Sequence, residues 1–109
     1  MRFLAIALLA LLTACATPGS AERRYTGEYR EGLETMAFQA DDRAETWSAR
    51  GPAIYALQAA APPREHAHDG FRIRATIVGR LSPQGRYGHL GMFPREIEII
   101  EVIETSPAP

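Results

Sequence analysis

Residues 71–81 read Phe-Arg-Ile-Arg-Ala-Thr-Ile-Val-Gly-Arg-Leu, and no other stretch constrains the fold of this chain as tightly. The odd positions are apolar or small, and the even positions are polar apart from Val78. Successive side chains of an extended chain point to opposite faces. A period of two, rich in β-branched residues, therefore predicts a strand with one buried face and one wet face. Such a strand needs paired neighbours and a core beneath it.

The neighbours are visible on both sides. Residues 24–29 and 33–40 read as two strands joined around Glu31-Gly32, the second placing Met36, Phe38 and Ala40 on one face. Asp41-Asp42 signals a turn, and residues 45–50 form a short strand that points Trp47 and Ala49 inward. Gly51-Pro52 then predicts a helix start, with glycine at the cap and proline at the first helical position, where its missing N–H does no harm. Ile54, Leu57 and Ala61 fall on one face of that helix, and Pro62-Pro63 ends it. Residues 64–70 are a polar loop, and Ser82-Pro83-Gln84-Gly85 opens a glycine-punctuated loop reaching Gly91. Residues 95–104, REIEIIEVIE, repeat glutamate at near-helical spacing but are rich in Ile and Val. Alternation changes phase at Ile99-Ile100, which a strand with a β-bulge explains.

The order β-β-β-α-β-β is that of the OB-fold. The expectation is a mostly β, five-stranded, OB-like Greek-key barrel with one short helix plugging an end. An open sandwich or an α+β roll would use the same elements. The expected core is Met36, Phe38, Trp47, Ile54, Leu57, Phe71, Ile73, Ile77, Leu81, Ile97 and Ile99.

Ahead of this domain, Met1-Arg2 precedes an apolar run over residues 3–12. That is a secretory signal, too short for a bilayer crossing of about 20 residues. Leu12-Thr13-Ala14-Cys15 resembles the lipobox of bacterial lipoproteins, whose peptidase cuts before a cysteine carrying diacylglycerol. The resemblance implies a mature chain that starts at an acylated Cys15 and is held to membrane lipid. Ala14-Cys15-Ala16 also fits ordinary signal peptidase, which would cut after Ala16 and release a soluble protein. Cys15 is the only cysteine, and a lone thiol in an oxidising compartment has no disulfide to join. Lipidation gives it a use. Neither Ala16 nor Thr17 is acidic. In enterobacteria an aspartate after the cysteine accompanies inner-membrane retention, so its absence points to the outer membrane, facing the periplasm. The expected organisation is residues 1–14 signal peptide, 15–23 lipidated tether, 24–104 barrel and 105–109 flexible tail.

The formal net charge is −1, and loss of Arg2 with the leader makes it one unit more negative. No basic stripe points to nucleic acid. The chain contains no lysine, only arginine. Selection for bidentate anion contacts would favour arginine, and so would a GC-rich genome; the scatter along the chain fits the second.

Residues 85–97, Gly-Arg-Tyr-Gly-His-Leu-Gly-Met-Phe-Pro-Arg-Glu-Ile, are set in a frame of Tyr25, Gly32-Leu33-Glu34, Phe38 and Trp47. Together they resemble a family of small, largely uncharacterised proteobacterial lipoproteins and secreted proteins with an OB-like domain. The resemblance covers residues 25–102 and rests mainly on the Tyr-Gly-His-Leu-Gly block. Many members carry a Pro-Cys pair where this chain has Ala40-Asp41, and a double tryptophan where it has Trp47-Ser48. The resemblance implies fold and location, and no reaction or cofactor.

Candidate sites are few. Arg86, Tyr87 and His89 lie on the connection between the last two strands, which lines the ligand face of OB-folds. An aromatic and a histidine of adjustable charge suit a sugar ring or an anion, while Gly88 and Gly91 point equally to a purely structural loop. His66, His68 and Asp69 offer two imidazoles and a carboxylate for zinc or copper, against a solvated loop. Trp47 reads as core, and Glu96, Glu98, Glu101 and Glu104 as a solvated face. No serine sits in a strained Gly-x-Ser-x-Gly turn, so nothing points to a nucleophilic enzyme. The expected function is a lipid-anchored, non-enzymatic binding module of the envelope, meeting a protein or glycan partner. The alternative is a periplasmic metal or pH sensor using the loop histidines.

Overall fold

In the computed structural model the described residues are 21–109, and the strands are β1 (Glu22–Gly32), β2 (Thr35–Ala40), β3 (Trp47–Arg50), β4 (Phe71–Leu81) and β5 (Glu96–Pro107). One short helix, α1 (Ile54–Ala59), lies between β3 and β4. The strands close into a barrel in the order β1-β2-β3-β5-β4, with β4 returning to β1. All neighbours are antiparallel except β3 and β5, which run parallel. This is the OB-like Greek-key arrangement the element order implies.

β4 buries every odd position from Phe71 to Leu81. β1 pairs with β4 over residues 22–31 and with β2 over residues 27–32, so two partners share its second half. Gly27 stands where the sharing begins, and a Cβ there would lie 2.1 Å from the Gln39 carbonyl oxygen. Only glycine permits so close an approach. β5 is bulged twice against β4. Gly79 pairs with Ile99 and Val78 with Glu101, skipping Ile100; a second shift skips Ile103. The first bulge is the phase change at Ile99-Ile100 that the sequence predicts. The second brings Val102 back against the core.

The core holds every expected residue except Met36, which packs against it while remaining half-buried, and adds Tyr29, Ala40, Ala49 and Ala75. Tyr29 is fully buried, and its hydroxyl has no hydrogen-bond partner among the described residues. Burial, reinforced by the Glu31 carboxylate, holds this phenol well above its usual pKa.

Several boundaries differ from expectation, β3 beginning at Trp47 instead of residue 45 among them. The β1–β2 turn is Leu33-Glu34, not Glu31-Gly32; Glu34 takes φ 60° and Gly32 still pairs with Thr35. The helix begins at Ile54 after an Ala53 cap. Gly51, at φ +126°, instead lets the chain pass over β5, where a Cβ would lie 2.5 Å from the Ile99 carbonyl oxygen. β1 starts at Glu22, inside the expected tether. Thr105, Ser106 and Pro107 are no flexible tail, because they pair with Ala75, Arg74 and Ile73. The expected signal peptide of residues 1–14 and the expected lipidation site Cys15 lie outside the described residues. Among the described residues no helix is long and apolar enough to cross a membrane.

Candidate functional site

The connection from β4 to β5, residues 82–95, is held by backbone bonds rather than by a core of its own. At its base the Ser82 N–H donates to the Glu96 carbonyl at 2.8 Å, and the Glu96 N–H donates to Ser82 Oγ at 2.8 Å. Further out, Gly85 N–H donates to the Pro94 carbonyl, and Tyr87 and Phe93 exchange both backbone bonds at 3.0 and 3.1 Å. The Tyr87 ring lies against Gly85, and its hydroxyl donates to the Pro83 carbonyl at 3.0 Å. At the tip, a 3-10 turn over His89–Gly91 places Leu90 at φ 57°, flanked by Gly88 at φ 70° and Gly91 at φ 63°. Gly88 backs onto the Ser48 side chain and the Phe93 ring. The loop therefore folds down as a flap over the outer surface of β3, and Ser48 is buried although it points away from the barrel axis.

Beside this flap runs a groove of about 630 Å³, lined chiefly by Arg30, Thr35, Ala37, Phe71, Arg72 and Phe93. Strand register builds it. Arg72 pairs with Arg30, Arg30 with Ala37 and Ala37 with Ser48, which sets the four side by side across β4, β1, β2 and β3. Glu28 lies 3.5 Å from the Arg30 guanidinium and 3.9 Å from that of Arg72. Glu31 also lines the groove, so its charged side, carrying both signs, faces the apolar wall of Phe93. At the loop tips Leu33, Leu90 and Met92 are 81%, 75% and 73% exposed. His89 Nδ1 lies 3.7 Å from Glu34 Oε2, where the two tips meet.

Of the three loop residues singled out from the sequence, Tyr87 is a strut inside the flap, Arg86 is exposed, and His89 meets the β1–β2 turn. None lines the groove. Its residues come from three strands and a loop, and only Phe93 stood within the stretch the sequence marks. The predicted metal ligands do not converge. The His66 and His68 rings stack with centroids 5.3 Å apart and planes 2° from parallel. Asp69 closes its own loop, one carboxylate oxygen accepting the His66 N–H at 3.0 Å. Among the described residues no group of three His, Cys, Asp or Glu side chains is placed to hold a metal ion.

Trp47 belongs to the core, its Nε1–H donating to Glu45 Oε1 at 3.0 Å. Glu96 and Glu98 pair with Arg50, and Glu98 also with Arg80. Compared with family models, with curated proteins and with solved structures, the chain matches none.

Proposed function

We propose that this chain is a lipid-anchored, non-enzymatic binding module of the cell envelope. In this reading acylated Cys15 holds it to the outer membrane, and the barrel meets a periplasmic protein or glycan at the groove beside the flap. The observation that carries the binding reading is the groove, where the guanidiniums of Arg30 and Arg72 lie beside Phe93 on the barrel side and under the loop that OB-folds use for ligands. The apolar side chains exposed on the neighbouring loop tips add contact area for a partner. The anchor rests on the residue order before Cys15 and on that residue being the only cysteine. The Tyr-Gly-His-Leu-Gly resemblance supports the same location.

Two measurements test this. Labelling with a palmitate analogue is expected to depend on Cys15; label persisting in Cys15→Ser would sink the anchor. Photocrosslinking from position 92 in intact envelopes is expected to capture one dominant partner. Arg30→Gln with Arg72→Gln should abolish that capture while leaving the fold intact. Capture unaffected by the double substitution places binding elsewhere.

A further inference from the structure

Arginines scattered along the sequence gather in space at the end of the barrel where β1 begins. There Arg23, Arg43 and Arg95 rim a depression of about 200 Å³ floored by Tyr25 and Leu81. The Arg43 guanidinium lies 5.7 Å from the Trp47 ring centroid, and Tyr25 meets the same ring edge-on at 5.1 Å. These contacts orient the rim. Glu22 is bonded to Arg80, Asp41 to Arg74 and Glu45 to Arg95. Among the described residues, Arg23, Arg24 and Arg43 remain without a carboxylate within ion-pair distance, with Asp42 the acid left over nearby. Residues 1–20 contain no Asp or Glu that could neutralise them.

We propose that this arginine-rimmed mouth is a phospholipid-headgroup contact, which seats the barrel end-on against an anionic membrane surface. The geometry rests on the anchor reading. Only residues 16–21 separate Cys15 from β1, a reach of about 20 Å when fully extended. An acylated Cys15 therefore keeps this end, and not the opposite one, beside the lipid. A guanidinium rim fits headgroup phosphates in charge and in bidentate geometry. Such a patch adds a second, salt-sensitive attachment to the acyl chains.

The test uses the full chain in phosphatidylcholine vesicles with and without phosphatidylglycerol, read by hydrogen exchange and by flotation. Backbone amides of residues 21–26 and 41–46 are expected to exchange several-fold more slowly only in the phosphatidylglycerol vesicles. High salt should remove the difference. Arg23→Gln with Arg43→Gln should weaken it about fivefold per arginine, while circular dichroism stays unchanged and the melting temperature falls by no more than the few degrees that loss of the Arg43–Trp47 contact implies. Equal protection in both vesicles, or protection confined to residues 33–34 and 89–92, overturns the proposal and leaves the anchor standing. Failure to float with neutral vesicles counts against the anchor alone. In that case flotation with phosphatidylglycerol vesicles still supports the mouth, and its absence overturns it.

Discussion

β4 and the loop that follows it are adjacent in sequence and comparable in length, yet they are held in opposite ways. β4 is fixed by what it buries: Phe71, Ile73, Ala75, Ile77 and Leu81 all enter the core. The loop of residues 82–95 buries no large side chain and is fixed by paired backbone groups, one tyrosine hydroxyl and glycines in left-handed conformations. Burial is distributed and tolerant of backbone detail, whereas the loop depends on a few exact geometries. The strand should therefore set global stability, and the loop should open on its own.

The largest test of that contrast is Ile73→Ala, expected to lower unfolding free energy in urea by about 2–5 kcal/mol. A loss below about 1 kcal/mol would mean that β4 is not the anchor of the core. Next comes Gly88→Ala. Gly88 sits at φ 70° and ψ −162°, and a Cβ there would lie 2.7 Å from Ser48 Oγ. Strain of that kind costs about 1–3 kcal/mol. The expected outcome is detachment of the flap, read as faster amide exchange over residues 85–93, with a smaller global loss than for Ile73→Ala. A global loss as large as that of Ile73→Ala would show that loop and core unfold as one unit.

Tyr87→Phe removes the bond to the Pro83 carbonyl and should cost about 0.5–1.5 kcal/mol, again visible first in loop exchange. The smallest effect is electrostatic. Arg74 donates two hydrogen bonds to Asp41 and holds its carboxyl below the ordinary value of 3.8. A carboxyl depressed by folding stabilises the native state above its unfolded pKa, and that contribution fades as pH falls from 3.8 toward the folded value. Arg74→Gln should move the Asp41 titration, followed by NMR, back upward. An unmoved titration would show that the pair is not formed in solution.

The same contrast explains what could be read from the sequence. Alternation exposes β4 in full, and the phase slip at Ile99-Ile100 reveals the first bulge. The second, at Ile103, follows only from the need of β4 for a partner along its whole length, which also recruits Thr105–Pro107. Polar, exposed residues paired through their backbones leave no hydrophobic trace. Ala40, Ala49 and Ala75 lie on the inward faces that alternation marks, whereas Tyr29, partly polar and set among polar neighbours, does not mark a face by itself. Gly51 looked like a cap but serves a close crossing over Ile99. The groove and the arginine rim have no linear signature at all. Each is assembled by strand register from distant residues.

The register of β1, β4 and β5 also sets how the barrel would respond to a pull. β1 and β5 both lie antiparallel to β4 and so run parallel to each other. The start of β1 and the end of β5 consequently lie at opposite ends of the barrel. Tension applied between those two points would load the β1–β4 and β4–β5 ladders lengthwise, in shear, so that many hydrogen bonds must fail together instead of unzipping singly. A domain tethered at one end and gripped at the other would resist extension along that axis.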